Sequence, residues 1–127
     1  MGELKRGRKS VLTNLEPALT QNDGDGGALR SGLLAKAMKE NDPLVTETLT
    51  EAGADLGLGL ASVINLLNPG RIIMGGGVIE AVDYLFEVAS QRALREALPT
   101  AARQTEIVRA KLGDNAGIVG AAIHGAR

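Results

Sequence analysis

Gly75-Gly76-Gly77, within "NLLNPGRIIMGGGV" (65–78), is the stretch whose composition most invites chemistry. Glycine loses more backbone freedom on folding than any other residue, so three in a row need a reason. Two are available: a tight strand-to-helix turn, or a wall of bare backbone that a ligand can approach. The phosphate-binding fingerprints are testable directly. A G-x-G-x-x-G begun at Gly75 keeps Gly77 but meets Glu80 at its third glycine. One begun at Gly57 keeps Gly59 but meets Ser62. A phosphate-loop lysine motif is also absent from the sequence. Neither familiar phosphate cradle is present, and a turn or a wall for a flat ligand such as adenine both remain open.

Other chemistry-bearing residues lead nowhere comparable. Asp23-Gly24-Asp25-Gly26 suggests a calcium loop, but that alignment puts Gln21 at position 1 and Gly32 at position 12, where acidic ligands belong. "GDNAG" (113–117) reads as a helix cap, with Asp114 as the natural N-cap. His124 is the only histidine and cysteine is absent, so no zinc set or thiolate nucleophile can be assembled. The serines lack a His-Asp partner set, and no carboxylate pair stands out as an acid/base couple. The residues therefore predict no catalytic group and no metal ligand.

Balanced charge, 14 Lys plus Arg against 15 Asp plus Glu, argues against a nucleic-acid or acidic-membrane footprint over the whole chain. Lys5, Arg6, Arg8 and Lys9 form a local basic cluster that reads as a solvated end. With one Phe, one Tyr and no Trp, platforms for stacking exposed bases are lacking. No apolar run approaches the roughly 20 residues of a membrane span, and the N-terminus lacks a signal-peptide core. A cytoplasmic location is expected.

The elements that must position the glycines follow from periodicity. Residues 10–20 suggest a helical turn or two broken at Pro17, and 21–27 a loop. Leu29, Leu33, Leu34, Ala37 and Met38 mark a helix over 27–41. Asp42 then caps, and Pro43 opens, a long helix of about 24 residues whose apolar positions include Val45, Leu49, Ala52, Leu56, Leu60, Val63, Ile64 and Leu67. Gly53, Gly57 and Ala61, four apart, make a shallow stripe suited to close packing by another helix or a second copy. "RIIM" (71–74) reads as a buried strand. Val82 through Leu98 form an amphipathic helix closed by Pro99, "TEIVRAK" (105–111) a second strand, and 112–126 a final thin helix. Strand-helix-strand implies a parallel pair, yet two short parallel strands need neighbours and covered faces.

"LGLGLASVINLLNPGRIIMGGGV" followed by "LGDNAGIVGAA", preceded by "KAMKENDPLVTETLTEAGADLG", closely resembles the C-terminal end of the ROK family of bacterial sugar kinases and sugar-responsive repressors. The resemblance, over about 10–127, implies an α/β fold: part of an actin-like, ribonuclease H-like ATPase lobe, helix-rich with a short parallel strand-helix-strand unit. It implies one unit over 1–127, with an N-terminal segment and loop at 1–27, a helical pair at 28–68, and an adenosine-side unit at 71–127. Gly75, Gly76 and Gly77 would form the adenosine-binding wall, with Val78 opening the helix beyond. ATP with magnesium, and a sugar, would be ligands of the parent protein. A homodimer or the missing lobe would be partners, and nucleic acid only in a repressor parent. The family's phosphate loop, catalytic aspartate, sugar-binding Glu and His residues and cysteine-rich zinc site have no counterpart here. The expected role is thus non-catalytic: adenosine wall plus hinge and dimer contacts of a glucokinase-like enzyme, or the sensing and dimerisation part of a repressor. A free-standing module self-associating through the Gly53/Gly57/Ala61 stripe is a third expectation.

Overall fold

The computed structural model describes residues 31–126. The basic cluster, the 10–20 turn, the 21–27 loop and the start of the first helix lie outside the described residues.

The first two helices are α1 (Ser31–Lys39) and α2 (Pro43–Leu67). Between them Asn41 takes a left-handed φ of 55°. Asp42 caps α2 as the sequence anticipates: its carboxylate accepts from the Leu44 N–H at 2.9 Å and the Val45 N–H at 3.2 Å. Pro43 fills the first helical position, where no amide bond is lost. Asp42 is only 1% exposed, so those two amides cannot turn to water instead. Replacing Asp42 with alanine should lower stability by about 1–2 kcal/mol, read from a urea midpoint with an unchanged slope.

The 25-residue α2 stops at Asn68, left-handed at φ 45°, whose N–H reaches the Ile64 carbonyl at 2.9 Å. Strand β1 (Arg71–Met74) follows, then α3 (Gly77–Ala81) and α4 (Asp83–Glu96). The helix expected from Val82 is α4, and the short α3 precedes it as a separate element. Val82 leaves the helical region at φ −125° and ψ 93° and sinks its side chain into the core. Pro99 does not close α4, which ends at Ala97 with its N–H on the Ala93 carbonyl; it opens a further turn, α5 (Pro99–Ala102). Leu98 is consequently exposed, its N–H bound to Asn65 Oδ1 at 2.8 Å.

Strand β2 (Glu106–Arg109), shorter than the 105–111 expected, pairs parallel with β1: Arg71 opposite Glu106, Ile72 opposite Ile107, Ile73 opposite Val108 and Met74 opposite Arg109. A 3-10 turn (Gly113–Asn115) leads into α6 (Ala116–Gly125). Asp114 therefore sits inside that turn, and the residue flanking α6 is Asn115, which makes no side-chain capping bond.

Packing centres on α2 against α4. The buried face of α2 is Leu44, Val45, Leu49, Gly53, Gly57, Ala61 and Ile64, met by Leu85, Ala89 and Ala93 of α4. A Cβ on Gly53 would fall 2.8 Å from Val88 Cγ1; one on Gly57 would fall 2.5 Å from Arg92 Cβ and 2.8 Å from the Ala89 carbonyl oxygen. Only hydrogen fits, so glycine is needed for backbone approach. The stripe's partner is thus α4 of the same chain. That corrects the expectation of self-association through it, since the surface is already buried. Leu56, Val63 and Leu67, expected on the apolar face, lie off this groove and are exposed, as is Ala52.

The sheet hangs on the same pair of helices. Ile72 and Ile107, in register, pack against Ala61, Ile64, Ala93 and Ala97. Among the described residues nothing covers the opposite face of β1, where Ile73 is 66% exposed, so "RIIM" is buried on one side rather than two. Arg71 and Glu106 bridge the strands at 2.7 Å, but both side chains are more than half exposed and contribute at most about 1 kcal/mol.

Candidate functional site

Parallel pairing brings the carboxyl ends of β1 and β2 to one side, and a cleft forms there. Met74, Gly75 and Gly76 line it from the first strand, Ile79 and Glu80 from α3, and Arg109, Ala110 and Gly113 from the end of the second and beyond. Its volume is about 70 Å³. Small-molecule sites run to roughly 300–1,000 Å³, so the cleft has the size of one wall of such a site.

The three glycines do different things. Gly75 allows close approach: a Cβ there would lie 3.1 Å from the Ala110 Cβ, beside the bond from the Ala110 N–H to the Met74 carbonyl at 2.7 Å. Gly76 supplies the turn, at φ 109° and ψ 154°, a region open essentially to glycine alone. Around its absent side chain there is nothing within 4 Å. Gly77 begins α3 and needs neither freedom, because a Cβ would meet only Ser31 Oγ at 3.7 Å. Val78, on the next position of α3, is partly exposed and does not line the cleft. The structure thus brings Gly75 and Gly76 together at the cleft and leaves Gly77 and Val78 beside it.

Two charged side chains line the cleft. The Arg109 guanidinium pairs with the Asp83 carboxylate, donates to the Asp83 carbonyl at 3.3 Å and lies 4.5 Å from the centre of the Phe86 ring. That triple hold keeps Arg109 against α4. Glu80 projects over Gly113, where a Cβ would fall 2.6 Å from Oε1; Gly113 itself is left-handed at φ 51°. The glycine at 113 therefore both permits the turn into α6 and makes room for the carboxylate.

Sequence reasoning missed Glu80, Arg109, Ala110 and Gly113 as site residues. The signal was available: a parallel strand-helix-strand unit puts the residues after both strands at the same end, so 75 must face 110. In the sequence Glu80 stands out only as the residue that breaks a fingerprint. Among the described residues no three or more His, Asp or Glu side chains are grouped so as to hold a metal ion, and no helix is long and apolar enough to cross a membrane.

Comparison with known proteins agrees with this architecture. The chain is 30% identical over 112 residues to the glucokinase of Halalkalibacterium halodurans, covering 88% of this chain and 34% of that protein. It is 31% identical over 98 residues to the transcriptional repressor Mlc of Escherichia coli, covering 77% of this chain and 24% of Mlc. Among solved structures, a putative sugar kinase from Cytophaga hutchinsonii superimposes with a TM-score of 0.73 at 22% identity, covering 98% of this chain and 38% of that one. The chain thus spans about a third or less of the length of the curated relatives it matches. A profile of the ROK family matches residues 16–125, and with these similarities it establishes that the chain belongs to the ROK family.

Proposed function

We propose that this chain supplies the adenosine-side wall of an ATP-dependent, glucokinase-like sugar kinase, as the distal part of an actin-like, ribonuclease H-like ATPase lobe. The carrying observation is the cleft at the strand ends, where the Gly75-Gly76 backbone lies bare with open space around Gly76. A flat nucleobase fits against such a surface because nothing stands within 4 Å of the side-chain position of Gly76, and in open α/β sheets ligands collect beyond the carboxyl ends of strands. Gly77 and Val78 then serve as the start of the helix behind the wall.

Phosphoryl transfer needs a positioned nucleophile and stabilisation of charge on the γ-phosphate. Glu80 is the one carboxylate among the described cleft residues, and the family's phosphate loop and catalytic aspartate have no counterpart in the sequence. The wall's contribution is therefore to bind and orient the nucleoside end. The sugar, the metal and the proton acceptor belong to the rest of the two-lobed parent, a cytoplasmic phosphotransferase working as a homodimer. The isolated 127-residue chain, given MgATP and glucose, should release no ADP above the blank in a coupled assay. The longer polypeptide that carries it should release ADP in proportion to glucose; failure with every hexose would overturn the kinase reading.

Similarity to Mlc supports a second reading, in which the same lobe senses sugar and mediates dimerisation in a DNA-binding repressor. That parent would shift operator DNA in a gel and lose the shift on adding sugar, without turning over ATP.

A further inference from the structure

We propose that Glu80 is the acceptor for the ribose hydroxyls at this cleft, selecting a nucleoside whose 2′ and 3′ positions are free. The inference rests on the nucleoside-wall reading and adds the residue that would set its specificity.

Two side chains bring charge to the cleft, and they differ in availability. Arg109 is occupied by Asp83 and Phe86. The Glu80 carboxylate makes no hydrogen bond or ion pair among the described residues, and its residue is solvent-exposed. An ionised carboxylate only accepts hydrogen bonds. Beside a nucleotide it attracts a pair of hydroxyl donors and repels phosphate oxygens, so it marks the sugar end of the ligand rather than the phosphate end. Geometry agrees: Glu80 stands one helical turn along from Gly76, opposite the bare backbone of Gly113, where a side chain would collide with its Oε1 at 2.6 Å. That carboxylate lines the same cleft as Gly75 and Gly76, so a nucleobase laid on the two glycines would share the cleft with it. Dinucleotide sites use the same chemistry, with an acidic side chain on ribose hydroxyls, at a different point of an α/β sheet.

The test follows backbone amide shifts of the isotope-labelled chain by NMR during titration with adenosine, 2′,3′-dideoxyadenosine and adenosine 2′-phosphate. Adenosine should move the Gly75, Gly76 and Gly113 amides. Dideoxyadenosine should bind about tenfold more weakly, the scale of losing a hydrogen bond to a charged acceptor. Glu80→Ala should erase that difference, and Glu80→Gln should improve binding of the 2′-phosphate by removing the repulsion. Because Glu80 is exposed, both variants should keep the unliganded spectrum elsewhere in the chain. Equal binding of adenosine and dideoxyadenosine at the cleft amides would overturn the role of Glu80 and leave the wall intact. Cleft amides indifferent to adenosine up to its solubility would overturn the wall reading, and the ribose assignment with it.

Discussion

Gly57→Leu should collapse the packing of α2 on α4 and lower stability more than any other replacement along the helix crossing. A Cβ at position 57 would already lie 2.8 Å from the Ala89 backbone oxygen, which cannot swing aside as a side chain can. The helices must separate, and every contact along Leu49, Gly53, Ala61 and Ile64 loosens with them. Overpacking of this kind costs about 1–3 kcal/mol for added methylenes and more when backbone must move. In a unit of this size each kcal/mol shifts the melting temperature by about 4–8 °C. Gly57→Ala should be milder, because alanine recovers roughly 1 kcal/mol of helix propensity. The informative control is Gly59→Ala. Gly59 has nothing within 4 Å of its missing side chain, so only the propensity gain remains and the melting temperature should rise. Filling two glycines only two positions apart should thus move stability in opposite directions. Equal melting of Gly57→Leu and wild type would refute the close crossing of these helices.

Gly76→Ala carries the second large effect, this time on the cleft. At φ 109° and ψ 154° a residue with a Cβ is strained by about 1–3 kcal/mol, although no neighbour obstructs it. The loop relieves that strain by changing its backbone angles, which turns the Gly75-Gly76 surface away from the strand ends. Under the nucleoside-wall reading, adenosine should then no longer move the Gly113 amide. Gly77→Ala should leave stability within about 0.5 kcal/mol of wild type, since position 77 is an ordinary first helical residue with a contact at 3.7 Å. If Gly76→Ala melted and responded to adenosine like wild type, the special conformation of that residue would be refuted.

Much of this was legible in the residues. The Asp42-Pro43 start of α2, its length, the parallel strand pair and the close-packing role of Gly53 and Gly57 all follow from local patterns: caps, 3.6-residue periodicity and small residues at matched spacing. What local pattern could not decide was which surfaces find partners. Leu56, Val63 and Leu67 obey the helical period yet lie outside the groove, because the width of the buried face depends on where α4 crosses. Val82 is apolar and in phase, but burying it required a break between α3 and α4 that no propensity announces. Ile73 sits in a uniformly apolar strand, and its exposure depends on what covers the far face. At the cleft, the glycine run was visible at once. Gly113 and the glutamate over it were not, because Gly113 reaches the run only through strand pairing across more than thirty residues of chain.

The smallness of the interior has a calorimetric consequence. Among the described residues, five of the thirteen buried apolar ones are alanines, two glycines sit at the helix crossing, and no aromatic ring is fully enclosed. Backbone meeting backbone gives close contact with little hydrocarbon withdrawn from water. Heat-capacity increments on unfolding track apolar area exposed, ordinarily about 12–15 cal/mol/K per residue. For this chain the increment should fall below that range. Its free energy should then change gently with temperature, as a broad, shallow dome whose cold and warm limbs lie far apart.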